Sequence, residues 1–236
     1  MEVNIDDVVM PGDTVKIESL GKMKEKIVLG PGLRREGETI FACKSGVLKH
    51  RKPSIYYVDS YQKRYIPTRG EDVVGVVVQK AGDIYKVDIG SSDLASLSYL
   101  AFEGTSKKNR PDVQIGDAVF AKLLVASKDA EPELVCVDGH GKKGKLGVLD
   151  PGGLLLSCSL SLVRKIRNPD NPFLSEFAKE QAYELAIGMN GKVWIRAKTV
   201  NETVALANAL LAAEFTPYDQ MRSLCSNISQ MVLENS

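Results

Sequence analysis

Three cations fall within four residues, Lys107, Lys108 and Arg110, in the polar stretch Gly104-Thr105-Ser106-Lys107-Lys108-Asn109-Arg110-Pro111. Such a cluster could hold phosphates, which supply most of the sequence-independent affinity for a nucleic acid. It reads equally as a solvated basic loop. A second lysine-rich stretch, Gly139-His140-Gly141-Lys142-Lys143-Gly144-Lys145, has the spacing of a nucleotide-binding phosphate loop and follows a strand-like segment. A working loop of that kind next needs a Ser or Thr for magnesium and a helix to hold the phosphate. Leu146 stands in the hydroxyl position, and Gly147-Val148-Leu149-Asp150-Pro151-Gly152 cannot begin that helix. Nucleotide binding is set aside on those grounds. Lys142, Lys143 and Lys145 remain open to RNA or to an acidic neighbour.

Bond-cleaving chemistry leaves other signatures. Two-metal hydrolysis needs several carboxylates converging on one site, and no compact Asp/Glu cluster of that kind stands in the chain. The two histidines, His50 and His140, are read in lysine-rich turns, outside any nucleophile or ligand motif. Cys43, Cys136, Cys158 and Cys225 form no C-x-x-C pair and match no zinc spacing. They read as reduced thiols of an intracellular protein. The expectation is a non-enzyme with no catalytic residue, metal or cofactor.

The 236 residues allow one large domain or two to three small ones, at roughly 100–200 residues per domain. Hydrophobic residues at 44% and charged residues at 26% are enough to bury a core, which argues against disorder. Net charge is +1, from 31 basic and 30 acidic residues, and the balance stays flat along the chain. A free-standing nucleic-acid binder usually carries a basic excess, so any RNA binding would use a local patch or help from neighbours. The start, Met1-Glu2-Val3-Asn4-Ile5-Asp6-Asp7, is acidic and lacks the apolar core of a signal peptide. No run approaches the length of a membrane span. The expected location is cytoplasm or nucleus.

The elements that must position these residues fall into three parts. Residues 1–67 read as short strands joined by turns, with strands expected at residues 14–17, 27–29, 39–43 and 55–59. Gly30-Pro31-Gly32-Leu33-Arg34-Arg35 reads as an interruption and Ser45-Gly46 as a turn. Residues 68–150 give longer strands at 72–80, 84–89, 95–100, 118–126 and 133–138. Five antiparallel strands of this size suit a small closed barrel, the OB fold. Tyr85 and Lys86 lie on its second strand, where such barrels often present binding side chains. Residues 139–153 are the best domain boundary. Residues 151–236 read as β-α-α-β-β-α with an appended helix. Strands are expected at 154–158, 183–187 and 193–197, and short helices at 160–166 and 173–181. Thr199-x-x-Glu202 is a capping box opening a helix to about residue 214. Thr216-Pro217 is read as the cap and first turn of a last helix, whose apolar residues Leu224, Ile228, Met231 and Val232 recur at three- and four-residue steps.

Within this order, Gly82-Asp83-Ile84-Tyr85-Lys86-Val87 and Ile115-Gly116-Asp117-Ala118-Val119 resemble an S1-type OB-fold RNA-binding domain, and the last part is similar to a KH domain. The remaining matches are Gly30-Pro31-Gly32-Leu33-Arg34-Arg35, Tyr57-Val58-Asp59-Ser60, Lys63-Arg64-Tyr65, Ala95-Ser96-Leu97-Ser98-Tyr99-Leu100, Phe102-Glu103-Gly104 and Asn109-Arg110-Pro111. Gly188-Met189-Asn190-Gly191, Trp194 and Lys198 complete the set. Together they resemble the cap subunits of the eukaryotic RNA exosome, in particular the ribosomal RNA-processing protein 40 (exosome component 3) family. The resemblance implies a multidomain α+β chain with a β-rich N-terminal domain, an S1-type barrel and a KH-like domain. It implies a non-catalytic subunit that binds RNA, contacts RNase PH-like ring subunits and works beside associated exosome nucleases, in the nucleus, nucleolus and cytoplasm. It also tips Lys107, Lys108 and Arg110 toward RNA. The alternative reading is a free-standing S1/KH RNA-binding protein.

Two motifs depart from an RNA role. The RNA-binding KH form clamps backbone with a GXXG loop between its two short helices. That position here, residues 167–172, contains no glycine. Gly188-Met189-Asn190-Gly191 lies instead in the strand hairpin, where an Asn-Gly type I′ turn would account for it structurally. Trp194 alternates with Val193 and Ile195, so it points to the opposite face and reads as a core or domain-interface aromatic rather than a base-stacking one.

Overall fold

The computed structural model describes residues 4–15, 27–127 and 129–234, without the side chains of Glu180 and residues 229–234. It forms two compact units, Met1–Gln62 and Lys63–Ser236. No described helix is long and apolar enough to cross a membrane.

The first unit holds two small sheets. One contains β1 (Val8–Val9), β3 (Val28–Leu29), β6 (Gly46–Arg51) and β7 (Ile55–Asp59), in the order β1-β6-β7-β3. The other contains β2 (Thr14–Val15), β4 (Leu33–Glu36) and β5 (Thr39–Ala42), in the order β2-β5-β4. Val9, Val15, Ile40, Ala42, Leu48 and Val58 form the core. The expected strand at 14–17 is described only at its first two residues; Lys16 and Ile17 lie outside the described residues. Three readings change. The stretch read as an interruption enters strand β4, and it runs beside β7 through Gly30 N–H to Tyr56 O (2.7 Å) and Val58 N–H to Pro31 O (2.9 Å). Gly46 opens strand β6 instead of closing a turn. His50 therefore sits on that strand, its ring 4.6 Å from Tyr56.

The second unit begins with the barrel: β8 (Asp72–Ala81), β9 (Ile84–Asp88), β10 (Ala95–Ser98), β11 (Ala118–Val125) and β12 (Glu133–Val135). Within the barrel each of the five strands pairs with two of the others, in the closed cycle β8-β9-β10-β12-β11. The expectation of five antiparallel strands is corrected at one pairing, because β10 and β12 run parallel. The reason is topological: five strands around a ring cannot alternate direction at every step. Val73, Val77, Val87, Leu97, Ala121 and Leu123 point inward and are shut off from solvent, and Tyr65 joins them from the preceding segment. Val74 points outward yet is 0% exposed, which explains a valine-dense strand without alternation: both faces are covered. The barrel extends into the glycine-rich stretch, where Leu146 enters the core and β13 (Gly147–Val148) pairs with β11.

The rest is β14 (Leu154–Ser157), α1 (Leu160–Arg167), α2 (Phe173–Glu180), β15 (Tyr183–Ile187), β16 (Lys192–Ala197), α3 (Val200–Ala212) and α4 (Met221–Glu234). The sheet order is β14-β16-β15, all antiparallel. Phe173, Phe177, Val193, Ile195, Leu206, Leu210 and Met221 fill the space between the sheet and its helices. Thr199 and Glu202 form both halves of the capping box of α3. Thr216 does not cap the last helix. Its hydroxyl donates back to Ala212 O at 2.8 Å, and Pro217 precedes a 3-10 turn, Tyr218–Gln220. Leu224 and Ile228 of α4 pack on the core, while the side chains of Met231 and Val232 lie outside the described residues.

Candidate RNA interface and the barrel–KH junction

The candidate cations are not presented alike. Lys107 and Lys108 are exposed at the tip of a turn closed by Ser106 and Asn109, which exchange backbone hydrogen bonds of 3.0 and 3.1 Å. Arg110 is fixed at the root of that turn, with Asp83 at 2.9 Å and its guanidinium 4.8 Å over the Tyr99 ring. Tyr85 and Lys86 part company, because neighbours on a strand face opposite ways. Tyr85 packs against the barrel core, and its hydroxyl donates to Pro111 O at 3.4 Å, which ties down the foot of the same loop. Lys86 points out of the barrel wall and pairs with Glu131 at 2.5 Å. The structure thus groups Lys107, Lys108 and Arg110, sets Tyr85 beneath them, and leaves Lys86 on a separate ion pair.

The glycine-rich stretch is a structured loop. Asp138 Oδ1 accepts from the His140 and Lys142 amides at 2.8 and 2.9 Å, and these backbone donors hold its carboxyl below the usual carboxylate range. The Lys143 amide donates to Glu103 Oε2 at 2.7 Å. A strand follows instead of a helix, as β13. Glu103 stands in the matched stretch Phe102-Glu103-Gly104, but nothing in its spacing assigns it a function, since its partner lies 40 positions away.

The hairpin motif turns out to do more than turn the chain. Only Gly191 of its four residues has positive φ (+81°), so the type I′ reading is corrected: that turn needs positive φ at Asn190 as well. Freed from that duty, the Asn190 side chain crosses into the barrel, 8% exposed. Its Oδ1 accepts from Val74 N–H at 3.2 Å, and its Nδ2 donates to Val74 O at 2.7 Å and Ile89 O at 2.8 Å. The β8–β9 ladder stops at the pair Val76 and Asp88. The carboxamide therefore replaces the rung that the ladder lacks, meeting the need of buried backbone groups for partners. A Cβ on Gly188 would collide with Asn190 Oδ1 and lie 2.5 Å from Val74 N, so only glycine lets the hairpin approach. Met189 N–H donates to Asp72 O at 2.8 Å, and Lys192 Nζ reaches Asp88 O and Oδ2, each at 2.9 Å. The lysine holds the Asp88 carboxyl below its ordinary value.

Trp194 lies at the same junction, 4% exposed, with Val74, Ala118 and Phe120 of the barrel and Ala186, Leu149 and Leu155. Val193 and Ile195 face the helices, so the sheet is covered on both sides. Gly153 passes directly beneath the indole, where any Cβ would overlap the ring. Where an RNA-binding KH fold carries its glycine loop, Asn171 instead locks the chain: it donates to Lys165 O at 2.8 Å and accepts from Phe173 N–H at 2.9 Å. Among the described residues, no three His, Cys, Asp or Glu side chains converge as a metal site would require.

A β-rich unit, a five-stranded barrel and a KH-like module sharing a sealed junction with it define a multidomain protein of the S1–KH class. Family models describe the same three parts: the S1 domain of exosome complex component RRP40 matches residues 65–147, the N-terminal domain of mammalian exosome complex component RRP40 matches residues 7–61, and a KH domain matches residues 153–201. The chain is 49% identical over 226 residues to exosome complex component RRP40 of Drosophila melanogaster, covering 95% of this chain and 97% of that one. It is 45% identical to the Homo sapiens RRP40, covering 87% and 77%, and 34% identical to that of Saccharomyces cerevisiae, covering 86% and 87%. A solved crystal structure of a protein assigned to RNA binding in an exosome complex shares the fold, with a TM-score of 0.57 at 20% identity over 73% of this chain and 97% of that one. The chain belongs to the RRP40 family of exosome complex components.

Proposed function

We propose that this chain is a non-catalytic cap subunit of the RNA exosome, which binds RNA on its S1-type barrel and stabilises the ring for 3′-to-5′ RNA processing and degradation. The observation that carries the reading is the exposed Lys107–Lys108 turn, with Arg110 fixed at its root, on a barrel whose fold and family are those of exosome components. Cations held on a small barrel can follow a phosphodiester backbone without reading bases. The KH-like module supports RNA entry indirectly: its helix–helix turn is locked by Asn171 and its glycine motif is spent on the junction with the barrel. The N-terminal and KH-like parts would dock on RNase PH-like ring subunits, and the near-zero net charge suits a surface given largely to protein partners. Phosphodiester cleavage would belong to associated nucleases.

The test is size-exclusion chromatography of the pure chain with and without reconstituted ring subunits, followed by an RNA-degradation assay on each peak. Co-elution with the ring and an inert isolated chain are expected. A monomer that ignores the ring yet binds RNA would instead favour the free-standing adaptor, and degradation by the pure chain would overturn the non-catalytic reading.

A further inference from the structure

We infer that the glycine-rich loop at residues 139–147 and the loop at residues 102–111 form one composite cradle for the phosphate backbone of single-stranded RNA, with Glu103 as the residue that positions the two loops. The inference rests on the RNA-binding reading above and goes beyond it by adding Lys142, Lys143 and Lys145 to the site.

The two loops are distant in sequence, but the Glu103 carboxylate joins them by accepting the amide of Lys143, 40 positions away, at 2.7 Å. Each is rigid in its own right. In the first, Thr105 Oγ1 donates to Phe102 O at 2.8 Å and Asn109 Nδ2 to Gly104 O at 3.4 Å. In the second, Asp138 gathers the amides of residues 140 and 142, and Leu146 anchors the far end in the barrel core. Between the loops lies a cleft of about 290 Å³, lined by Phe102, Arg110, Pro111 and Lys143 among others. Lys107, Lys108, Lys142 and Lys145 do not line the cleft but are exposed on the same two loops. The barrel as a whole carries no basic excess, so this is a local concentration of charge. Phe102 packs on the barrel core and is half-buried in the cleft wall, beside Arg110 and Lys143; single-strand sites combine aromatic side chains for bases with cations for phosphates.

Glu103 gives the inference its test, because charge and position pull in opposite directions. Removing a carboxylate from a cationic cleft by itself strengthens RNA binding. If Glu103 holds the second loop in place, losing its hydrogen bond weakens binding instead. Glu103→Gln keeps a side-chain acceptor for the Lys143 amide and drops the charge; Glu103→Ala drops both.

The experiment is fluorescence anisotropy of a labelled single-stranded oligoribonucleotide against the full chain, alone and assembled with the exosome ring, over a series of salt concentrations. Each phosphate contact contributes about 0.7 to the slope of log affinity against log salt. The triple variant K142A/K143A/K145A is therefore expected to flatten the slope by about 2, which is up to about a hundredfold in affinity near 0.1 M salt. Glu103→Ala should bind less tightly than wild type, and Glu103→Gln as tightly or more so. An unchanged slope in the triple variant, with K107A/K108A still weakened, would overturn the composite cradle and leave the proposed function standing. Glu103→Ala binding as tightly as Glu103→Gln would remove its positioning role. If the wild-type chain on the ring binds no RNA, the proposed function fails first. If the triple variant loses the ring and keeps its RNA affinity, the loop is a protein contact and the inference is wrong.

Discussion

Replacing Asn190 by alanine should loosen the barrel–KH junction more than the loss of one small surface-poor side chain suggests. The carboxamide supplies the partner for three backbone groups: Val74 N–H, Val74 O and Ile89 O. Val74 is fully buried and Asn190 only 8% exposed, so bulk water does not reach them freely. A buried polar group left without its partner costs about 1–3 kcal/mol. Taking the low end for each of the three groups, because a water can recover part in the space left behind, gives about 3 kcal/mol. Against a typical domain stability of about 5–15 kcal/mol, that is a large fraction. Trp194 is the sole tryptophan and sits in the same junction, so its fluorescence reports the site directly. Urea unfolding of the full chain should show the tryptophan transition displaced by about 3 kcal/mol in Asn190→Ala. Asn190→Asp should be no better at neutral pH, because a carboxylate cannot donate to the two carbonyls. A displacement below about 1 kcal/mol, the worth of one ordinary hydrogen bond, would refute the missing-rung explanation.

Other consequences can be checked separately. Trp194→Ala removes a 4%-exposed indole and should cost about 3–5 kcal/mol by circular dichroism; a cost under 1 kcal/mol would mean the junction does not need it. Asp88 is held below its ordinary value of 3.8, mainly by Lys192. Its contribution is therefore present above about pH 4 and is lost as pH falls through the lower folded value. Between about pH 5 and about pH 3 the wild type should lose stability more steeply than Asp88→Asn, and parallel profiles would argue against the Lys192 contact. Burial pushes the Cys136 thiol up to about 12 and the Cys158 thiol up to about 11, while Cys225 is 2% exposed and Cys43 is exposed. Thiolates are the reactive form, so a disulfide reagent at neutral pH should titrate one thiol quickly and the others only after unfolding. Two or more fast thiols would contradict that burial.

Strand periodicity and turn chemistry make most of the second unit legible in the sequence. Residues 183–187 and the capping box at Thr199 and Glu202 are local signals, and local signals survive folding. Less was readable where tertiary contact decides. Strand β4 hides behind Gly30-Pro31-Gly32, because the glycines serve close approach to β7 and not a break in pairing. The parallel pair of β10 and β12 follows from closing a ring of five, which no window of sequence displays. The Asn190 motif was visible as a motif, but its spacing pointed to a hairpin turn; that its carboxamide ends a ladder in another domain depends on residues 101 and 116 positions away. The cations at 107, 108 and 110 were plain from composition. That Tyr85 faces inward follows from register with buried Leu97, and register is set by the whole barrel.

The most direct measurement is photo-crosslinking of a 4-thiouridine-labelled single-stranded RNA to the chain assembled on the exosome ring, with crosslinked peptides mapped by mass spectrometry. Crosslinks on this chain are expected in the barrel, in the loop carrying Lys107, Lys108 and Arg110 and in the facing glycine-rich loop. An assembled, RNA-degrading complex whose RNA crosslinks to other subunits and never to this barrel would contradict the claim that this chain takes RNA there.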